Sequence, residues 1–320
     1  MINETFSIKK LAHIIKPNST IIVGFSGGPD SVYLLLALRN MQSSHNLKII
    51  AAHLDHEWRK ESAQEAIWCE QFCHTYTIEF MTQKASLITV DKNYNGSKEE
   101  YARVTRRIFF ETIAQQYQSS YIALAHHKDD QIETFFIRLA RGTSLTGLTG
   151  IKEDDGRYIR PLLETTKQEI INTLTKNNID FLKDPSNNDT NFLRNRIRHT
   201  LIPTLSQVDT RLQNNIFNTM KHLQQVDTYL QQVTDTTITS LAHHTNLLSL
   251  NTASFLQLDT IIQQRVLLRL LIKAKARFTP SQKLFSEIIR FLKSSKNKEH
   301  IIHPTYKISK HKKFFSIEQR

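Results

Sequence analysis

Glycine is scarce in this chain of 320 residues, which contains only 8, and none of them follows residue 156. Three of the eight, Gly24, Gly27 and Gly28, fall within five positions of one another. Glycine tends to mark tight turns between strands and helices. Its absence from the last 164 residues therefore predicts a change of architecture in the second half of the chain.

Long apolar runs are also missing, and cysteine is scarce. No stretch of about 18 uncharged apolar residues occurs, and Glu4, Lys9 and Lys10 interrupt the N-terminus, so we expect neither a membrane span nor a signal peptide. The two cysteines, Cys69 and Cys73, are too few for a disulfide framework and lack the Cys-x-x-Cys spacing of many metal sites. These absences predict a cytoplasmic protein with free thiols and no membrane partner.

Positive charge is concentrated in the last third of the chain. The formal net charge is +12, and residues 221–320 hold 16 Lys and Arg against 6 Asp and Glu. Basic residues stand beside aromatic ones in 310–315 (KHKKFF). This pattern favours a polyanionic partner such as nucleic acid, with Lys310, Lys312 and Lys313 as candidate phosphate contacts, although solubility alone is the simpler explanation.

The first half of the chain alternates strand and helix patterns. Strand-like runs occur at 20–25, 48–54, 76–82, 121–126 and 158–163, with helical segments between them. This order predicts an α/β fold built on a doubly wound parallel sheet, which binds ligands beyond the carboxyl ends of its strands. We expect a catalytic domain over 1–210, a helical linker over 211–240 and a basic, mainly helical domain over 241–320, with β structure only near 300–318.

The segment from Ser26 to Ser31 (SGGPDS) follows the first predicted strand and opens a helix. Such a turn offers unpaired backbone N–H groups and the positive end of a helix dipole, which suit a phosphate chain. It matches neither the Gly-x4-Gly-Lys nor the Gly-x-Gly-x-x-Gly loop. An ordinary tight turn is the alternative.

A second polar cluster follows the fourth predicted strand. His126, Asp130 and Glu133 have the spacing i, i+4 and i+7, which predicts that they project from one face of a helix. A solvated acidic first turn is the alternative. His53 and Asp55 end the second predicted strand, where a sheet of this type can contact an adenine or a ribose.

Taken together, these motifs resemble known enzymes. Residues 26–31 resemble the pyrophosphate-binding loop of the N-type ATP pyrophosphatases. The segments 53–59 (HLDHEWR), 126–134 (HHKDDQIET), 138–142 (RLARG) and 184–198 resemble those of the tRNA(Ile)-lysidine synthetases. The resemblance covers about residues 20–205, with Glu57 and Trp58 standing where that family usually has Gly and Leu.

The resemblance implies an adenine nucleotide alpha hydrolase-like fold that uses ATP and Mg²⁺. It assigns the nucleotide to a set of residues at the ends of the first two strands: Ser26, Gly27, Gly28, Pro29, Asp30, Ser31, His53 and Asp55. Asp30 would also lie near the magnesium ion or the reacting centre.

The activity implied is the ligation of free L-lysine to C2 of the wobble cytidine of tRNA(Ile) with a CAU anticodon. An adenylated cytidine would form first, releasing pyrophosphate, and lysine would then expel AMP. Asp130 and Glu133 are predicted to hold the lysine ammonium and His126 to accept its proton. Arg106 and Arg198 are predicted either to stabilise the charge on the departing phosphates or to bind tRNA, and Arg141 and Arg194 are predicted to bind tRNA.

Two other functions remain open at the level of the sequence. One is tRNA thiolation by a related enzyme, and the other is a non-catalytic basic RNA-binding module. The oligomeric state is also open, with a homodimer as one option.

Overall fold

The computed structural model describes residues 13–59, 61–90, 97–183, 193–243, 246–276, 278, 280–295 and 298–320. These residues form two compact units, with the boundary between Met220 and Lys221. No helix within the described ranges is long and apolar enough to cross a membrane.

The first unit is built on a six-stranded sheet. Its strands are β1 (Thr20–Gly24), β2 (Lys48–Asp55), β3 (Glu79–Lys84), β4 (Tyr121–Ala123), β5 (Asp154–Asp155) and β6 (Tyr158–Ile159). The spatial order is β3-β2-β1-β4-β6-β5. All neighbouring pairs are parallel except β5 with β6, which is antiparallel at one edge.

Helices connect these strands and continue beyond them. They are α1 (Pro29–His45), α2 (Ser62–Thr75), α3 (Lys98–Gln116), α4 (Lys128–Arg141), α5 (Leu145–Leu148), α6 (Lys167–Lys176), α7 (Leu193–Arg196) and α8 (Ile202–Val208). A π-helical turn over Ile197–Leu201 joins α7 to α8. The helix α9 (Leu212–Leu241) crosses the boundary between the units.

Alternating side chains of the strands fill two cores, one on each face of the sheet. Ile21 and Val23 of β1 pack in one core with α1, whereas Ile22 packs in the other with Phe109 and Phe110 of α3. Successive side chains of a strand point to opposite faces, so a sheet covered on both sides needs apolar residues throughout. The apolar run Ile21-Ile22-Val23 meets that need and fixes β1 at the centre of the sheet.

The strand order determines where a ligand can enter. β2 lies on one side of β1 and β4 lies on the other, so the connections leaving β1 and β4 diverge from neighbouring carboxyl ends. A crevice forms at such a switch point. The loop at 25–28 and the start of α4 both face it.

The second unit combines helices with an antiparallel sheet. It holds the rest of α9, the helices α10 (Thr252–Leu256), α11 (Thr260–Lys273) and α12 (Gln282–Lys293), and five strands: β7 (Ala242–His243), β8 (Asn246–Asn251), β9 (Glu299–His303), β10 (Tyr306–His311) and β11 (Phe314–Gln319). The strand order is β7-β8-β11-β10-β9. The predicted helices and the β structure near 300–318 are present, and β7 and β8 were not predicted.

Candidate active site

The loop after β1 is shaped by Gly27. Its φ is +76°, and a Cβ at this position would lie 2.6 Å from Leu182 Cδ1 and 3.0 Å from Cys69 Sγ. The Gly27 carbonyl accepts a hydrogen bond of 2.9 Å from the backbone N–H of Leu182. Only glycine fits both the left-handed backbone and this close packing.

Hydroxyl groups complete the same loop. Ser31 Oγ accepts from the backbone N–H of Ser26 at 3.2 Å and donates to the Gly28 carbonyl at 2.9 Å. Pro29 occupies the first turn of α1, where a missing N–H costs no hydrogen bond. A helix start of this kind carries a partial positive charge that suits a negatively charged ligand.

A cavity of about 1320 Å³ opens beside the loop. Its lining includes Ser26, Gly28, Asp30, Asp130, Glu133 and Arg198. The loop after β1 and the acidic face of α4 thus share one space, as the switch-point topology requires.

The start of α4 differs from the prediction. The helix begins at Lys128, and His127 is its N-cap, with its backbone N–H donating to Asp130 Oδ2 at 2.9 Å. His126 precedes the helix, so the prediction that it shares a helical face with Asp130 and Glu133 is wrong. The hydrogen bond from the His127 backbone to Asp130 caps the start of the helix, so the helix begins two residues after His126.

Two arginines bind the acidic pair of α4. Arg194 donates from Nε to Glu133 Oε2 and from Nη2 to Asp130 Oδ1, both at 2.7 Å. Arg198 Nε donates to Glu133 Oε1 at 2.5 Å, and its Nη2 donates to Oε2 at 3.1 Å. The Glu133 side chain is only 1% exposed, so the arginines compensate a buried charge.

The neighbouring charges act on Asp130 as well. Burial opposes its ionisation, but His127 and Arg194 lower the pKa of this carboxyl below its ordinary value. Arg194 lies in α7, and Arg198 lies four residues later in the π-helical turn. Both contact the carboxylates of Asp130 and Glu133. This cluster of two carboxylates and two guanidinium groups carries no net charge.

Asp30 has its own basic partner. Lys167 Nζ donates to both carboxylate oxygens of Asp30 at 2.7 Å. His127 Nε2 lies 3.8 Å from Asp30 Oδ2 and 3.5 Å from Asp130 Oδ2. His127 and Lys167 therefore connect the glycine loop to the acidic helix.

A family comparison agrees with this geometry. The PP-loop domain family matches residues 3–205, which is more than half of the chain. The chain belongs to the PP-loop family. The loop at 25–31 lies within the matched residues, and we refer to it as the PP-loop.

Curated relatives carry the name tRNA(Ile)-lysidine synthase. The relative from Bacillus subtilis strain 168 is 34% identical over 256 residues, covering 77% of this chain and 54% of that protein. The one from Francisella tularensis strain WY96-3418 is 35% identical over 254 residues, covering 78% of this chain and 61% of the relative. The chain thus spans between half and two thirds of the length of these two relatives.

A solved structure shares the fold. The U34-tRNA thiolase NcsA from Methanococcus maripaludis, solved with its [4Fe-4S] cluster, matches with a TM-score of 0.57 and 18% identity. The match covers 69% of this chain and 77% of the thiolase. At this identity the likeness supports the PP-loop fold and nothing more specific.

The end of β2 forms another side of the cavity. His53 is buried, with Nδ1 3.0 Å from the Phe25 carbonyl at the entrance of the PP-loop. Asp55 is buried and accepts from the backbone N–H of Glu57 at 2.8 Å. Glu57 has a φ of +56°, in the left-handed region that glycine prefers, so a glycine would fit this turn without strain.

Arg106 also lines the cavity, where its Nη2 lies 3.1 Å from His56 Nε2. Burial, followed by the positive charge of Arg106, lowers the pKa of His56 to about 4. His56 is therefore neutral near pH 7, and its Nε2 accepts a hydrogen bond from Arg106.

The residues present fit a magnesium ion held mainly by a nucleotide. Magnesium is usually bound by one or two carboxylates together with substrate phosphates. Asp30 supplies a carboxylate beside the PP-loop. Among the described residues, no group of three or more His, Cys, Asp or Glu side chains could hold a metal ion by itself.

Four residues predicted to contact tRNA do not line the cavity: Arg141, Lys310, Lys312 and Lys313. Arg141 is exposed at the end of α4 and does not line the cavity. Lys312 and Lys313 are exposed in the tight turn between β10 and β11. Lys310 Nζ donates to the carbonyls of Phe291 and Ser294 at the end of α12, so its ammonium already has partners.

Several cavity residues were missed from the sequence, among them His127, Asp129 and Lys167. His127 and Asp129 belong to the motif 126–134, but the prediction named their neighbours His126 and Asp130 instead. Lys167 belongs to no recognisable sequence motif, because its partner Asp30 lies 137 residues earlier in the chain. The predicted segment 184–187 (DPSN) lies outside the described residues.

Proposed function

We propose that this protein ligates L-lysine to C2 of the wobble cytidine of tRNA(Ile) with a CAU anticodon. ATP first adenylates the C2 oxygen and pyrophosphate leaves; the lysine ε-amine then attacks C2 and expels AMP. The observation that carries this proposal is the single cavity lined by both the PP-loop and the acidic face of α4. The relatives named tRNA(Ile)-lysidine synthase support it.

The size of the cavity suits several ligands at once. Pockets for one small ligand commonly measure about 300–1,000 Å³. A volume of about 1320 Å³ leaves room for a nucleotide, a lysine and a base placed outside its stack. A ligase that joins two substrates and consumes ATP needs this combination.

The first step places negative charge on the departing phosphates. The N–H groups at the start of α1 and the Lys167 ammonium lie where they can stabilise that charge. A bound Mg²⁺ at Asp30 would neutralise the same phosphate oxygens. Lys167 supplies the cation that other nucleotide loops carry within their own sequence.

The second step requires a neutral amine. A lysine amine with a pKa of about 10.4 costs roughly 4–5 kcal/mol to deprotonate at pH 7, so a nearby acceptor is needed. His127 lines the cavity, and its imidazole nitrogens lie 3.8 Å from Asp30, 3.4 Å from Asp129 and 3.5 Å from Asp130. We therefore assign the proton acceptor to His127 in place of His126, which does not line the cavity.

We propose that Glu133 and Asp130 bind the lysine ammonium, which displaces the guanidinium of Arg194 from these carboxylates. Arg194 contacts both carboxylates, yet its side chain is 42% exposed. An ammonium that takes the place of Arg194 leaves the charge of the cluster unchanged. Arg194 is then free for a phosphate of the RNA, while Arg198 keeps Glu133 in position.

The second unit is proposed to bind the body of the tRNA. Its basic surplus and the exposed turn with Lys312 and Lys313 suit salt-sensitive phosphate contacts.

Mass spectrometry of the RNA product tests the proposal. Incubation with ATP, lysine and unmodified tRNA(Ile) should add one lysine to the wobble cytidine and release pyrophosphate only when ATP and tRNA are both present. A product that contains sulfur would assign the protein to thiolation. RNA binding without pyrophosphate release would indicate a non-catalytic module.

The cysteines argue against thiolation through a cysteine-bound cluster. The chain has two, Cys69 and Cys73, and both are buried free thiols. Burial raises the pKa of Cys73 to about 12 and raises that of Cys69 as well. Neither thiol is poised as a thiolate for sulfur transfer or iron–sulfur ligation.

A further inference from the structure

Trp58 is an exposed aromatic side chain at the cavity. It lines the cavity after the end of β2, and 48% of the residue is exposed. Tryptophan is normally well covered because its indole offers a large apolar surface. An uncovered indole beside a polar cavity therefore has room for a flat ligand.

Basic residues surround this indole. Lys98 Nζ lies 4.7 Å from the centre of the Trp58 ring, and the ring centres of His56 and Trp58 are 5.1 Å apart. The Nη2 atom of Arg106 lies 3.1 Å from Nε2 of His56, the imidazole nitrogen that is farther from the backbone. Among the described side chains, neither Lys98 nor Arg106 forms an ion pair with a carboxylate, so both cations remain available to an anion.

We infer that Trp58 is a stacking platform for a nucleobase of the RNA substrate, with Lys98 and Arg106 binding the phosphates next to that base. An exposed aromatic ring with basic side chains near it is an arrangement by which proteins hold single-stranded nucleic acid. The inference rests on the proposed function, because it names how the RNA of that reaction enters the cavity.

The arrangement fits RNA better than the adenine of ATP. The three consecutive phosphates of ATP are matched by the PP-loop after β1 and by Lys167 at the start of α6. Trp58 follows β2 instead, and Lys98 is exposed at the first residue of α3. Cations placed beside one aromatic ring instead suit a strand of RNA, which carries one phosphate for each base.

The present contact between Lys98 and Trp58 does not block such a base. An exposed cation–π contact is weaker than base stacking on tryptophan. A base can therefore displace the ammonium from the ring face, and the flexible lysine side chain can then reach a phosphate.

Tryptophan fluorescence tests the platform directly. The chain has two tryptophans, and Trp68→Phe leaves Trp58 as the sole one while keeping an aromatic ring against Phe72. We expect an anticodon stem-loop with a CAU anticodon to quench this emission, and ATP or lysine alone to leave it unchanged. Quenching by ATP without RNA would overturn the assignment to RNA, and no quenching by bound RNA would overturn stacking.

Kinetics on two variants separate stacking from packing. Trp58→Ala should raise the KM for tRNA by about 5- to 100-fold with the KM for ATP unchanged, whereas Trp58→Phe should stay within about threefold of the unmodified chain. Equal losses in both variants, or none in Trp58→Ala, would refute the platform.

Failure of this inference differs from failure of the proposed function. If lysine is added to the RNA but Trp58 does not respond, the platform alone is wrong. If Trp58 is quenched by RNA but no lysine is added, the stacking inference stands and the proposed reaction is wrong.

Discussion

Arg198 and Glu133 form a two-point contact at the floor of the cavity, with Nε donating to Oε1 and Nη2 donating to Oε2. A paired guanidinium and carboxylate of this kind fixes both side chains in one plane. Glu133 is therefore held in a fixed orientation within the cavity.

Glu133→Gln keeps the shape of the side chain but removes its charge. Because Arg194 and Arg198 then lose their common anion, we expect lysine incorporation to fall at least tenfold while ATP and tRNA affinities stay within about threefold. Steady-state kinetics with each substrate varied in turn measures this. Glu111→Gln, which alters a partly exposed ion pair with Arg157, is the matched control and should leave the rate unchanged.

Lys167→Met removes the ammonium beside Asp30. If that ammonium binds the phosphates of ATP, its loss should weaken ATP binding at least tenfold, as measured by titration calorimetry with a non-hydrolysable ATP analogue. Lys176→Met, an exposed change at the end of the same helix, should bind as the original does. Tighter ATP binding in Lys167→Met would instead indicate that Lys167 blocks the site.

Gly27→Ala tests the shape of the PP-loop. Alanine at a positive φ, with its Cβ 2.6 Å from Leu182 Cδ1, should lower the free energy of unfolding by about 2–4 kcal/mol. Gly28→Ala is the control for stability, since its Cβ would meet nothing nearer than Ser26 Oγ at 3.5 Å, and it should cost below about 1 kcal/mol. Similar melting temperatures for the two variants would contradict this account of Gly27.

His56 should make the protein sensitive to acid. Its pKa is lowered to about 4 by burial and by Arg106, whereas the unfolded chain binds the proton with the ordinary value of about 6.5. The free energy of unfolding is therefore reduced as the pH falls from 6.5 towards 4, by about 1–2 kcal/mol after allowance for solvent screening. His56→Gln should reduce this loss in thermal melts compared between pH 7 and pH 4.5, and an unchanged loss would exclude His56 as its source.

Lys312 and Lys313 should contribute salt-dependent RNA binding. Replacing both by Ala should weaken tRNA binding and reduce the slope of log affinity against log salt by about 1–2, since each phosphate contact contributes somewhat less than one unit. Lys310→Met is the comparison, because that ammonium binds the Phe291 and Ser294 carbonyls. It should lower thermal stability without changing the slope, and an unchanged slope in the double variant would remove this turn from the RNA interface.

The sequence predicted the first unit well because its signals are local. The apolar run at 20–25 predicted β1, and the glycines after it predicted the phosphate-binding turn. The two short strands β7 and β8 were missed, because a strand of two residues and one in a Leu- and Asn-rich segment carry little periodicity.

The site was predicted only in part. Motif spacing found Asp30, Asp130 and Glu133, all of which line the cavity. It placed His126 on the wrong element, since the N-cap of α4 depends on a side-chain hydrogen bond that spacing does not reveal. It also treated Arg194 and Arg198 as separate from the acidic pair, although they bind it directly.

The sequence by itself determined the order of strands and helices in the first half of the chain, the glycine-rich turn after β1 and the basic surplus of the last third. Each of these depends on residues near one another in the chain. Only the tertiary structure decided that Lys167 meets Asp30 and that two arginines neutralise Glu133, since these pairs lie 137, 61 and 65 residues apart. The charge balance of the cavity arises from such distant pairs, and folding around the β1–β4 switch point is what brings them together.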